Sequence, residues 1–174
     1  MIFTETFIKG VFTLEVKRIE DERGFFGRVW CQKEFNEHHI DPRAVQINTA
    51  FNLQKGTVRG IHYQEAPYAE TKVIRCTRGV LFDVAVDLRP SSPTFKKWFG
   101  IELSAENQRM LVIPQGCAHG YQTLEDATEQ MYITSEFYAP AAAKGVRFND
   151  PEFAIHWPLP VTLISSADAQ WPLL

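Results

Sequence analysis

The sequence predicts an all-β fold, and three observations carry that prediction. Apolar and polar residues alternate along several short stretches, so each presents one apolar face. These stretches recur about every ten residues, separated by Gly, Pro, Asn, Asp or Ser, which is the spacing of a sandwich or barrel. Helical periodicity is confined to brief segments.

In chain order, the β-rich runs are 12–20 (FTLEVKRIE), 71–77 (TKVIRCT), 79–89 (GVLFDVAVDLR), 99–104 (FGIELS), 109–114 (RMLVIP), 119–124 (HGYQTL) and 129–138 (EQMYITSEFY). Within 79–89, Phe82, Val84, Val86 and Leu88 share one parity and Asp83 and Asp87 the other, which predicts a half-buried strand entered through a turn at Gly79. Residues 32–40 (QKEFNEHHI) are the best helix candidate, and 104–108 (SAENQ) suggests a further turn. The proline-rich final third is expected to wrap the barrel as loops and short turns. No repeat, linker or low-complexity tract divides residues 1–174, so one domain is expected.

Composition narrows the function. Eighteen Lys and Arg against 21 Asp and Glu give a formal charge of -3, without the basic balance that nucleic-acid binding favours. Any anionic partner must therefore meet local cations. Three widely spaced cysteines, Cys31, Cys76 and Cys117, fit packing thiols in a reducing compartment better than a disulfide framework. No charged-then-apolar leader is read at the N-terminus and no apolar run spans a bilayer, so a soluble cytoplasmic protein without membrane partners is expected.

Two histidines stand in recognisable settings. His62 lies in GTVRGIHYQ and His119 in PQGCAHG. Taken alone, each reads better as an ordinary barrel histidine hydrogen-bonded in place. Their spacing from Gly56 and Pro114 resembles the two motifs of cupins, small jelly-roll barrels, whose metal site takes three histidines and a glutamate. Here Gln64 replaces one of those histidines, and the position closing the second motif is not a convincing ligand. Two imidazoles and an amide suit a transition metal poorly, so no catalytic metal and no cofactor are expected.

The wider pattern is more specific. DERGFF, QIN, RGIHYQ, TK, IPQGCAHGYQTLED, YITSEFYAP, FNDPEFAIHWP and ISSAD follow one another as in the nucleotide-sugar 3,5-epimerases of deoxysugar pathways, typified by dTDP-4-dehydrorhamnose 3,5-epimerase. The resemblance covers nearly the whole chain and implies a mainly β, cupin-type jelly-roll barrel with short peripheral helices. It also implies a chemistry. A 4-keto group acidifies the hydrogens on C3 and C5, so inversion needs a base on one face, a group to hold the enolate oxygen, and an acid on the other face. By resemblance His62 is the base, Asp168 orients and charges it, Tyr132 is the opposite-face acid, and Lys72 stabilises the enolate. Arg59, His119 and Arg23 are implied contacts of the diphosphate and nucleotide end, Gln46 and Asn48 are polar substrate contacts, and Tyr138 is a candidate for stacking on the base.

Parity adds an independent check. Tyr132 shares a face with Gln130 and Thr134, a polar face suited to a barrel lumen. His62 shares parity with Gln64 but not with Arg59, so both can face a ligand only if the strand begins near Gly60. A solvated charge at Arg23, a core aromatic at Tyr138 and a surface tyrosine at Tyr132 are the competing readings.

The match thins at one end. Arg28, Ala143 and Ala167 stand where relatives commonly carry a carboxylate, a glutamate and a lysine. These departures leave open another nucleotide carrier such as CDP, or inversion at one carbon only. A ketoisomerase, a non-catalytic sugar-binding cupin and a metal-dependent oxygenase are the other classes considered. Acid and base together argue against a pure binding module. The N-terminal segment FTETFIKGVFTLEV looks suited to adding to a partner's sheet, so a homodimer is expected.

Overall fold

A computed structural model describes residues 1–41 and 43–174. It contains β1 (Ile2–Glu5), β2 (Phe12–Glu15), β3 (Ile19–Asp21), β4 (Gly24–Phe26), α1 (Gln32–Glu37), β5 (Gln46–Asn52), β6 (Val58–Gln64), β7 (Lys72–Arg78), β8 (Val80–Asp87), β9 (Trp98–Ser104), β10 (Met110–Ile113), β11 (Cys117–Thr123), β12 (Thr128–Thr134), β13 (Ala143–Gly145) and α2 (Ser166–Ala169). The all-β expectation holds, with short helices at the periphery.

A six-stranded sheet in the order β1-β2-β10-β7-β12-β5 faces a five-stranded sheet in the order β13-β6-β11-β8-β9. One core joins them. Ile74, Cys76 and Leu111 from the first sheet pack with Leu81, Ala85, Cys117 and Tyr121 from the second. The six-stranded sheet turns Val73, Met110, Val112 and Ile133 outward, where Phe35 of α1 covers them. Phe35 is fully buried, a contribution of about 1.5–3 kcal/mol from its side chain alone.

Strand β8 departs from its predicted half-burial, because both of its faces are covered. Phe82, Val84 and Val86 point away from the lumen but lie beneath Phe153, Ile155 and Trp157 of the C-terminal segment. On the other face Asp83 and Asp87 are fully buried. Both carboxylates are tolerated there because each is paired: Asp83 with His119, and Asp87 with Arg89, Ser92 and Thr94. The run 12–20 is also divided, its first part pairing β1 and β10 while β3 leaves the sheet to form a separate hairpin with β4.

Strand β6 begins at Val58, before Gly60, yet His62 and Arg59 still share a side. The pairing with β11 explains this: His119 lies opposite His62 and Tyr121 opposite Arg59, so three steps on β6 match two on β11. The additional residue is a bulge, and it resets the alternation. Gly60 makes it possible, with φ of +112° and a backbone approach in which any Cβ would sit 2.7 Å from Gly120 Cα.

Candidate active site

The space between the sheets opens into a cavity of about 480 Å³. Gln46 and Asn48 of β5, Tyr132 and Thr134 of β12 and Lys72 of β7 form one wall. These residues are cross-strand neighbours, with Thr134 between Gln46 and Lys72 and Tyr132 beside Asn48. His62 and Gln64 of β6, with Ala143 and Lys144 of β13 and Trp171, form the facing wall. The cavity has the size of a small-molecule site, with polar groups converging from both sheets.

His62, partly exposed, heads a hydrogen-bonded chain. Its Nε2 lies 2.6 Å from Asp168 Oδ1. Asp168 itself sits behind the ring, nearly buried, at the start of α2, where its backbone N–H is capped by Ser165 Oγ. Burial pushes the Asp168 carboxyl up, but the bond and charge of His62, the Gly60 amide and the Trp171 indole together hold it below the usual carboxylate range. A carboxylate on Nε2 fixes that nitrogen as the N–H and leaves Nδ1 with a lone pair. That is the arrangement of a proton acceptor.

The other wall is built differently. Burial raises the Tyr132 phenol above its ordinary pKa and the Glu70 charge adds to this, with Arg59 pulling the other way. The hydroxyl therefore carries its proton at neutral pH. Lys72 is held at 3.1 Å from Glu70 Oε1, and its Nζ donates at 3.4 Å to the His62 carbonyl. The Lys72 amine thus reaches from the tyrosine wall toward the histidine wall.

His119 lies beside His62 across the β6–β11 pair, with Nε2 at 2.6 Å from Asp83 Oδ1. Complete burial pushes the Asp83 carboxyl up, against the pull of His119 and of Lys72. Arg59 donates from Nε to Asn52 Oδ1 at 2.8 Å, leaving its exposed head beside the lumen. Tyr138 is two-thirds exposed at the cavity mouth, its N–H donating to Gln46 Oε1.

Of the ten residues singled out in the sequence, His62, Lys72, Tyr132, Gln46, Asn48 and Tyr138 line the cavity. Asp168, Arg59 and His119 adjoin these through the contacts above. Arg23 does not join them: it sits at the turn of the exposed β3–β4 hairpin, bonded to Asp21. Three participants escaped the sequence reading. Glu70 stands two residues before Lys72, Asp83 lies on the strand parity opposite the apolar run, and Trp171 approaches from the C-terminal tail. Asp83 shares its face with Leu81 and Ala85, and the fold turns that face into the core.

Gln64 also has a different use from the metal position it occupies by spacing. Its amide donates to the carbonyls of Tyr68 and Phe137 and accepts the Ala139 N–H at 2.7 Å. It clamps two loops together, including the one that carries Tyr138.

A sequence model of the family described as dTDP-4-dehydrorhamnose 3,5-epimerase matches residues 5–174. A dTDP-4-dehydrorhamnose 3,5-epimerase of Shigella flexneri is 46% identical over 165 residues, covering 94% of this chain and 91% of the relative. The crystal structure of the Bacillus anthracis dTDP-4-dehydrorhamnose 3,5-epimerase, with TDP and PPi bound, superposes with a TM-score of 0.95 at 40% identity, covering 99% of both chains. The dTDP-6-deoxy-D-glucose-3,5-epimerase of Legionella pneumophila, in complex with dTDP-4-keto-L-rhamnose, does so with 0.90 at 38% identity, covering 98% of this chain and 90% of that one.

Proposed function

The chain belongs to the dTDP-4-dehydrorhamnose 3,5-epimerase family, and from that premise we propose that it inverts C3 and C5 of a dTDP-linked 4-keto-6-deoxyhexose by proton transfer alone. The cupin-type jelly roll is the scaffold. One observation carries the reading: a carboxylate-backed histidine and a protonated tyrosine come from opposite sheets onto one cavity. Inversion requires that opposition, because the proton that leaves one face of the carbon must be replaced on the other.

His62 takes the C3 or C5 proton on Nδ1, and Asp168 stabilises the resulting imidazolium. The C–H electron pair moves into the C3–C4 or C4–C5 bond and the carbonyl becomes an enolate. Lys72 holds that oxygen. Tyr132 then protonates the carbon from the far side, the carbonyl re-forms, and solvent restores both side chains. Such positioned acid–base groups contribute about 10²- to 10⁴-fold each. Arg59 and His119 meet the diphosphate, Gln46 and Asn48 the sugar, and Tyr138 the base at the mouth.

A homodimer completes the proposal. Ile47 and Phe51 face outward, exposed, on edge strand β5, and Ile2 and Phe7 are exposed near edge strand β1, apolar surface that a second copy would cover. Arg23 keeps its nucleotide role only across such an interface, since its hairpin does not line its own cavity. Light scattering that reports a monomer at micromolar concentration would exclude the dimer. Cys31, Cys76 and Cys117 are free thiols, which supports work in the cytoplasm, and among the described residues no helix is long and apolar enough to cross a membrane.

Ala143 favours a second reading. It lines the cavity without the carboxylate common in relatives, while Arg28 is occupied by Glu34. Another carrier such as CDP, or inversion at one carbon only, fits that change. Incubation with dTDP- and CDP-4-keto-6-deoxyhexoses in deuterated water separates the readings, since NMR reports label at C3 and C5 independently. Absence of label from every substrate overturns the epimerase assignment.

A further inference from the structure

The last four residues return to the catalytic histidine. The Trp171 carbonyl accepts from Arg147 Nε at 2.8 Å and the Pro172 carbonyl accepts the Arg147 N–H at 3.2 Å. Beyond them the Leu174 N–H donates at 2.7 Å to Asp150 Oδ2, and Asp150 is 1% exposed. These anchors seat the indole in the cavity wall. Its Nε1 points at Asp168 Oδ1 from 3.3 Å, and its ring meets the His62 imidazole edge-on at a centroid distance of 6.1 Å. Gly145, opposite His62 in the β13–β6 pair, is the floor on which it lies: a Cβ there would come within 2.4 Å of the indole.

Resting on the epimerase reading, we infer that Trp171 is a positioning residue for the Asp168–His62 pair, delivered by the C-terminal tail. The Asp168 carboxylate accepts from three directions: the imidazole and the indole on Oδ1 and the Gly60 amide on Oδ2. Two of these donors are fixed to β6, so on their own they would let the carboxylate turn with the short helix α2. The indole comes from beyond that helix and closes the angle, while its ring edge limits rotation of the imidazole. The consequence is specific. Losing the indole N–H should slow proton abstraction and leave substrate binding nearly untouched, because the indole N–H bonds Asp168 and none of the groups assigned to the diphosphate and the base.

The test is deuterium incorporation with kcat and KM measured separately in Trp171→Phe, which keeps a ring and removes the donor, and in Gly145→Ala, which keeps the donor and displaces the ring. Thermal melting establishes that each variant is folded. Both should lower kcat by about three- to tenfold, the range of one hydrogen bond, with KM held within about twofold. In an Asp168→Asn background the Phe substitution should add less than about twofold, since its partner is already gone. A native kcat in Trp171→Phe, or a loss additive with Asp168→Asn, overturns the inference alone. A native protein that exchanges no deuterium overturns the epimerase reading and this inference with it.

Discussion

The two walls of the cavity solve different problems. On the five-stranded wall each histidine is backed by an aspartate: His62 by Asp168 from α2 and His119 by Asp83 from β8, both at 2.6 Å. On the six-stranded wall Tyr132 gets its state from its surroundings, since burial and the charge of Glu70 keep the phenol protonated. The contrast teaches how a base and an acid differ in their needs. A base must be oriented and its cationic form stabilised, which takes a partner of opposite charge fixed in place. An acid whose ordinary pKa is about 10 needs only to be kept neutral and aimed.

The harshest way to break this comparison is to remove the base. His62→Asn leaves Arg59, His119 and Tyr138 in place, so nucleotide binding, measured by calorimetry, should persist while deuterium exchange at both carbons falls by about 10²- to 10⁴-fold. Exchange within tenfold of native would mean that the carboxylate-backed wall is not where the proton goes.

Removing the acid should produce a different defect. Tyr132→Phe retains the ring and its packing, and His62 can still take a proton and return one from solvent to the same face. Label should then enter the substrate faster than inverted product appears, whereas the native enzyme couples the two. A Phe variant that inverts at the native rate would reduce Tyr132 to a wall of the pocket.

A milder variant sharpens the role of the loops. Gln64→Ala frees the segments that its amide joins, including the one bearing Tyr138 at the mouth. The base and acid keep their places, so KM should rise several-fold with kcat little changed. An unchanged KM would show that the mouth loop is held by other contacts and that Tyr138 contributes little.

What the sequence discloses follows from which interactions are local. Alternation along 129–138 places Tyr132 with Gln130 and Thr134, and that face does line the lumen, because pleating alone decides it. Alternation also separates Asp83 from Phe82 and marks the Phe82 face for burial, but it cannot say that the Asp83 face is buried as well. That depends on His119, which lies 36 positions downstream and meets Asp83 at 2.6 Å. The same limit hides the bulge at Gly60. Composition shows that a glycine permits it, yet the shift exists only in the pairing with β11. Trp171 is illegible for a related reason, since nothing in QWPLL announces which carboxylate its indole will meet.

The smallest expected effect is none at all, and it concerns metal. A cupin-type barrel holding His62 and His119 side by side invites the expectation of a bound ion, and the geometry argues against it donor by donor. The Nε2 of each histidine is taken by an aspartate, and the Gln64 amide is committed to three backbone groups. Among the described residues no three His, Cys, Asp or Glu side chains converge in a way that could hold an ion. A divalent ion bound at the free Nδ1 of His62 would occupy the nitrogen that takes the proton, and so disable the base. Turnover should therefore be the same before and after dialysis against EDTA, with added zinc neutral or inhibitory. Activity that vanishes in the chelator and returns with one divalent ion would show that the carboxylate-backed wall is a metal site, and the contrast between the two walls would have to be drawn again.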